Sequence, residues 1–141
     1  MFGKDFGVPE ETIAPQKEIL EQALASIRLA REIGTEIATG SDYGIRAFNR
    51  HGTKNINSIL FLIKAGFSPL EAITSATKIA SKALGLEDKI GTIVSGKYAD
   101  LIAVLGDPLS NVEKLKDISL VIKEGKIVHN LLPEGIFKKT N

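Results

Sequence analysis

The chain has 141 residues, eighteen basic against seventeen acidic side chains, a formal charge of +1 and no cysteine. So even a balance argues against nucleic-acid or anionic-membrane binding, and the absence of cysteine excludes disulfides, thiolate zinc sites and cysteine nucleophiles. Apolar runs such as Ile59 to Ile63 fall far short of the ~20 residues a membrane helix needs. The start, Met1-Phe2-Gly3-Lys4-Asp5, is unlike a signal peptide, so a soluble cytoplasmic protein is expected.

Residues 1–15 carry Gly3, Gly7, Pro9 and Pro15 and read as a loop. From Gln16 the side chains Ile19, Leu20, Ala23, Leu24, Ile27 and Ala30 recur at helical spacing. They predict a helix over about 16–33, with Gly34 as its stop. A β-prone run, Glu36-Ile37-Ala38-Thr39, follows, then Gly40-Ser41-Asp42 and a polar segment with Arg46, Asn49, Arg50 and His51. A second helix, from Asn55 to about Ala65, would bury Ile56, Ile59, Leu60 and Ile63 and end at Gly66. Ser68-Pro69-Leu70-Glu71 opens a third, running over about 69–84 to Gly85. Ser68 is its cap, Pro69 its first helical residue, and Glu71 is spaced to reach back as a capping box.

Beyond Gly85 the periodicity changes. Glycines separate short β-branched runs at Ile93-Val94, Leu101-Ile102-Ala103-Val104, Leu120-Val121-Ile122 and Lys126-Ile127-Val128. Glu124-Gly125 is a tight hairpin signal, so a small sheet is expected over about 88–131, followed by a tail.

A helix, a glycine turn and a strand ending in a lone carboxylate form the layout of the last units of a parallel α/β barrel. Chemistry in such barrels sits at the carboxyl ends of strands. A whole barrel takes ~250 residues, so most of it would lie elsewhere. From spacing alone, Asp42 is better read as a cap of the turn from Gly40 to Gly44. His51 reads as a surface histidine near Asn55 or as a residue over a barrel mouth, and His129 as sheet surface. Arg46 and Arg50 could grip a carboxylate but by default are solvated. Asp100 reads as structural, accepting backbone amides at the turn of Gly96-Lys97.

The stretch Ile90-Gly91-Thr92-Ile93-Val94-Ser95-Gly96-Lys97-Tyr98-Ala99-Asp100-Leu101-Ile102 resembles a signature of the amidohydrolase superfamily. Gly106-Asp107-Pro108-Leu109 and the run Val121 to Val128 follow it in the family's order. Ala65 to Ala72, Ala76 to Ala80 and Leu84-Gly85 are similar to the helices before it, and Gly40-Ser41-Asp42 to the Gly-x-Asp closing barrel strand 8. His51-Gly52 and Asn55 resemble the imidazolonepropionase and prolidase-like branch, in which Ser58 departs from a usual Glu.

The resemblance implies an α/β fold: the last strand and helices of a TIM-like metal-dependent hydrolase barrel, plus C-terminal β-sandwich strands. Residues 1–87 would belong to the barrel and residues 88–141 to a small composite sandwich. It implies a C-terminal portion of an enzyme cleaving C–N bonds in an amide, cyclic amide or dipeptide. Asp42 would be metal ligand and proton shuttle, and His51 would touch substrate. The implied cofactor is a divalent metal, zinc, bound in the complete enzyme. The family's His-x-His, its bridging residue and its later barrel histidines have no counterpart, so this chain alone should be inactive. It would associate with the remaining portion or with itself. The other reading is a non-catalytic α/β interaction module that keeps the fold without the metal site.

Overall fold

The computed structural model describes residues 13–41 and 55–133. Helix α1 spans Ile13–Glu32 and helix α2 spans Ile56–Lys64. Leu20, Ala23, Leu24, Ile27 and Ala30 form the covered stripe of α1, at the spacing that aligns side chains on one helix face. Ile19, expected on that stripe, is 64% exposed. The polar ties of α1 to other elements lie toward its C-terminal end. There Arg28 donates to the Lys64 carbonyl at 3.4 Å, and Arg31 pairs with Glu71 at 2.9 Å while lying over the Phe67 ring. In α2, Ile56 and Leu62 are buried, whereas Ile59, Leu60 and Ile63 are only half-buried.

The third helix opens as read from sequence. The Ser68 hydroxyl accepts from the Glu71 amide, the Glu71 carboxylate accepts from the Ser68 amide, and Pro69 begins helix α3, Pro69–Thr74. It does not continue regularly to Ala83. A π-helical stretch, Ser75–Ile79, intervenes before α4, Ala80–Ala83. Hydroxyls in and just after this stretch compete for backbone acceptors: Thr77 donates to the Ile73 carbonyl and Ser81, in α4, to the Lys78 carbonyl, both at 2.8 Å.

Three helices stop in one way. Gly34, Gly66 and Gly85 have φ of 78°, 99° and 66°, a left-handed conformation that a Cβ disfavours. Each glycine amide bonds the carbonyl three residues back (Arg31, Ile63, Lys82). The next amide bonds five residues back, to Ala30, Leu62 and Ser81, completing the double closure of a Schellman motif.

The sheet is antiparallel in the order β1 (Leu101–Val104), β2 (Ile118–Lys123), β3 (Lys126–Asn130). Leu101 lies opposite Ile122 and Lys123 opposite Lys126, with irregularities after Ala103 and after Val121. Glu124 and Gly125 turn the hairpin, both at positive φ, as a two-residue turn matching strand twist requires. Between β1 and β2 the chain forms a 3₁₀ helix, Val112–Lys116, capped by Asn111.

Two expected strands are absent from the described residues as hydrogen-bonded elements. Ile93-Val94 lies in a turn-rich loop and both side chains are exposed. Residues 36–39 pair with no strand, although Ile37, Thr39 and Ser41 are half-covered while Glu36, Ala38 and Gly40 are exposed. That period-two exposure is a strand's, and a strand without partners has no ladder to join. No barrel sheet is therefore present among the described residues; the sheet that is present is the C-terminal antiparallel one.

Candidate functional site

The run at 36–41 is held by side chains and by one backbone bond. Glu36 forms an ion pair with Lys82 on α4, and this partner raises the Lys82 pKa from its ordinary value. The Thr39 amide donates to the Ser75 carbonyl at 3.2 Å, at the first residue of the π-helical stretch. The Ser41 hydroxyl donates to Asn55 Oδ1 at 3.3 Å, just before α2. Bulges of this helical kind recur at functional sites, where a local widening repositions backbone groups.

A cleft of about 970 Å³ lies between these helices and the sheet. One wall carries Ser41 and Asn55 beside the helical Ser58 and Thr77, among Ile56, Ile59 and Ile73; the other carries Ile102, Val121 and His129 of the sheet and Lys116 of the segment between β1 and β2. A largely apolar hollow with a few hydrogen-bonding groups suits a small organic molecule. A smaller hollow of about 390 Å³ lies on the α1 side, against Ile37, Gly40 and Phe61.

Asp42 and His51, like Arg46 and Arg50, lie outside the described residues. His129 lies on β3, opposite Val121, with its ring exposed and at the cleft wall, as expected of a sheet-surface residue. Among the described residues no three His, Cys, Asp or Glu side chains are grouped so as to hold a metal ion. No described helix is long and apolar enough to cross a membrane.

Asp100 is structural, but at a different turn from the one expected. Its carboxylate accepts from the Glu124 amide at 2.7 Å and from Lys123 Nζ at 2.5 Å, so it braces the β2–β3 hairpin. The Lys123 hydrogen bond first, then the Glu124 amide, holds its pKa below the ordinary carboxylate value. The turn at Gly96 is organised instead by Lys97, whose ammonium donates to the carbonyls of Glu87 and Ile90 and to the Thr92 hydroxyl. Sequence reading missed Lys97, Ser75 and the Ser41–Asn55 bond. The first two act through backbone carbonyls, which every residue carries, so no residue type marks the partner.

Residues 4–128 match the profile of the Amidohydrolase family. An imidazolonepropionase from Shewanella sp. (strain W3-18-1) is 34% identical over 114 residues, 73% of this chain and 26% of that enzyme. Among solved structures, a Xaa-Pro dipeptidase with bound methionine is 39% identical, with a TM-score of 0.70 over 78% of this chain and 26% of its own. A putative prolidase from Bifidobacterium longum is 30% identical, with a TM-score of 0.79 over 94% of this chain and 33% of its own. An antiparallel sheet following a helical layer, with the signature loop stitched by Lys97, thus sits within a family match spanning most of the sequence. The chain belongs to the amidohydrolase family, in its imidazolonepropionase and prolidase-like branch. It spans about a quarter of the length of the curated relatives it matches.

Proposed function

We propose that this chain contributes the carboxylate of Asp42 to a hydrolase that cleaves C–N bonds in an amide, cyclic amide or dipeptide. The observation that carries the reading is the family match over residues 4–128, which includes Gly40-Ser41-Asp42. Support comes from the strand-like exposure of 36–41 and the three ties that hold that run against the helices. Asp42 takes the proton of the attacking water and passes it to the leaving nitrogen, the two tasks of a general base and then a general acid. His51 contacts the substrate in the same reading. The dipeptide class is brought by the Xaa-Pro dipeptidase among the similar structures.

The family's divalent metal, zinc in the first instance, requires at least three protein ligands in a catalytic site. The described residues do not fit it, since no such group exists among them. Its ligands besides Asp42 would come from polypeptide outside these residues, so the chain by itself is silent as a hydrolase and holds zinc weakly.

The test is Asp42→Asn in an assembly with C–N hydrolase activity. Turnover should fall about 10²–10⁴-fold, the usual contribution of a positioned acid–base group. Near-unchanged kcat would return Asp42 to the role of a turn cap.

A second reading is favoured by the apolar side chains left outside. Ile33, Leu84 and Ile93 are 72%, 69% and 85% exposed. On this reading the chain is a non-catalytic module that keeps the fold and uses these surfaces to associate with a second copy or another polypeptide. Zinc and substrate separate the two: a complex that forms yet binds neither supports the module.

A further inference from the structure

We propose that Lys97 pins a rigid joint, residues 84–100, that fixes the angle between the helices and the sheet on either side of the large cleft. Among the described residues the chain passes from helices to sheet once, between α4 and β1, and it does so through this loop. Elsewhere the two layers approach where α2 lies near the 3₁₀ helix, and the cleft opens between them. The separation of Thr77 on one wall from Ile102 on the other therefore depends on how stiff the crossing is.

The loop has an incoming limb, 86–92, and an outgoing limb, 97–100. The incoming limb is fastened to the helices. Its Leu86 amide bonds the Ser81 carbonyl at 2.9 Å, and Gly91 lies so near that a Cβ there would meet Ser81 Oγ and the Thr77 carbonyl oxygen. The outgoing limb is fastened to the sheet: the Gly125 amide bonds the Ala99 carbonyl at 3.1 Å, and Asp100 braces the hairpin. Between the limbs a single backbone bond is made, from the Tyr98 amide to the Lys89 carbonyl at 2.9 Å. Lys97 supplies the rest. An ammonium has three donors, and here they meet three oxygens of the incoming limb. These are the Glu87 carbonyl, the Ile90 carbonyl at 3.3 Å and the Thr92 hydroxyl at 2.7 Å. No backbone amide among the described residues reaches either carbonyl. Lys97 thus acts as a tethered monovalent cation, and the joint is stiff only while that cation is seated. The pin acts whether or not the chain serves a hydrolase.

Amide hydrogen exchange on the whole chain reads local opening of the joint, and paired spin labels read the walls. Lys97→Met keeps most of the stem but removes all three donors. It should speed exchange at the Tyr98 amide about tenfold to a hundredfold, the scale of hydrogen bonds made by a charged group. Lys97→Ala should do the same, and should recover slow exchange in propylammonium chloride but not in sodium chloride at equal ionic strength. Nitroxides on Leu70→Cys and Val128→Cys, both exposed positions in a chain with no cysteine of its own, report the angle between helices and sheet. Diluted with unlabelled chain, they should give a narrow distance distribution that Lys97→Met broadens. If the Lys97 variants fail to fold, Thr92→Val decides: loss of one acceptor should speed Tyr98 exchange about fivefold and broaden the distances less. Unchanged Tyr98 exchange in whichever variant folds, or no recovery with propylammonium, would overturn the seated cation. Faster exchange with an equally narrow distance distribution would overturn the joint.

Discussion

At Gly91 two constraints meet. Its φ is 91°, and a Cβ built there would stand 2.2 Å from Ser81 Oγ and 3.0 Å from the Thr77 carbonyl oxygen. Gly96 has the same φ but open space around it. Gly91→Ala should therefore cost on the order of 3 kcal/mol, strain and overpacking together, and Gly96→Ala only about 1 kcal/mol. Urea denaturation of the two variants measures the difference, and equal losses would mean the loop does not rest on Ser81. Glu71 supplies a pH dependence. The Arg31 hydrogen bond first, then the Ser68 amide, lowers its pKa from 4.5 to about 2. A depressed carboxyl pKa means the fold favours the charged form, so the contribution is full above pH 4.5 and fades as pH falls toward 2. Glu71→Gln should flatten the stability curve across that window, and a slope identical to wild type would show that the group is not linked to folding. At this scale the sequence was legible where a residue type implies its partner within a few positions. Ser68 and Glu71 were such a pair. Lys97 was not, because its ammonium binds carbonyls supplied by the conformation of the 87–92 loop rather than by any side-chain code.

Among the elements, starts and stops were readable and interiors less so. The proline at the head of α3 and the glycines after α1, α2 and α4 all fell where read. So did the Glu124-Gly125 hairpin, since each signal is a local steric requirement. Ser68→Ala should accordingly lower stability by about 1 kcal/mol, with thermal or urea unfolding as the measure. The π-helical stretch was hidden, because Thr74-Ser75-Ala76-Thr77 has ordinary helical periodicity and the widening involves an acceptor for Thr39, far away in sequence. The run at 36–39 was legible as a strand by alternation, and its exposure does alternate. Pairing is a property of neighbours, and alternation in one segment says nothing about whether they are present. Ile93-Val94 shows the reverse limit: these β-branched residues lie between the bend at Gly91 and the turn at Gly96, both glycines at positive φ, and join no ladder.

For the whole molecule, burial is sparse. Six hydrophobic residues among those described are buried, from Leu24 to Leu120, whereas fifteen large ones are exposed. Such an inventory is unlike a self-sufficient monomer, and exposed apolar patches mark contact surfaces. The chain at micromolar concentration should therefore sediment as an oligomer or in complex with another polypeptide; a compact, stable monomer would refute this. The proposed boundary between residues 87 and 88 is crossed by close contact, for Gly91 rests on Ser81 and the Lys89 and Ile90 amides bond the Leu86 carbonyl. Helical layer and signature loop would then unfold together, in one transition followed by circular dichroism and by the fluorescence of Tyr98 in a Tyr43→Phe variant.

The repeated glycine endings bear on how the chain acquires its shape. Each such stop is written within six residues, and the capping box at Ser68 within four. A growing polypeptide could read these marks as soon as they leave the ribosome, with no distant segment yet made. Helical boundaries would settle on the microsecond scale of local events. The slower search would fall to the joins between distant stretches: Glu36 with Lys82, and Thr39 with Ser75.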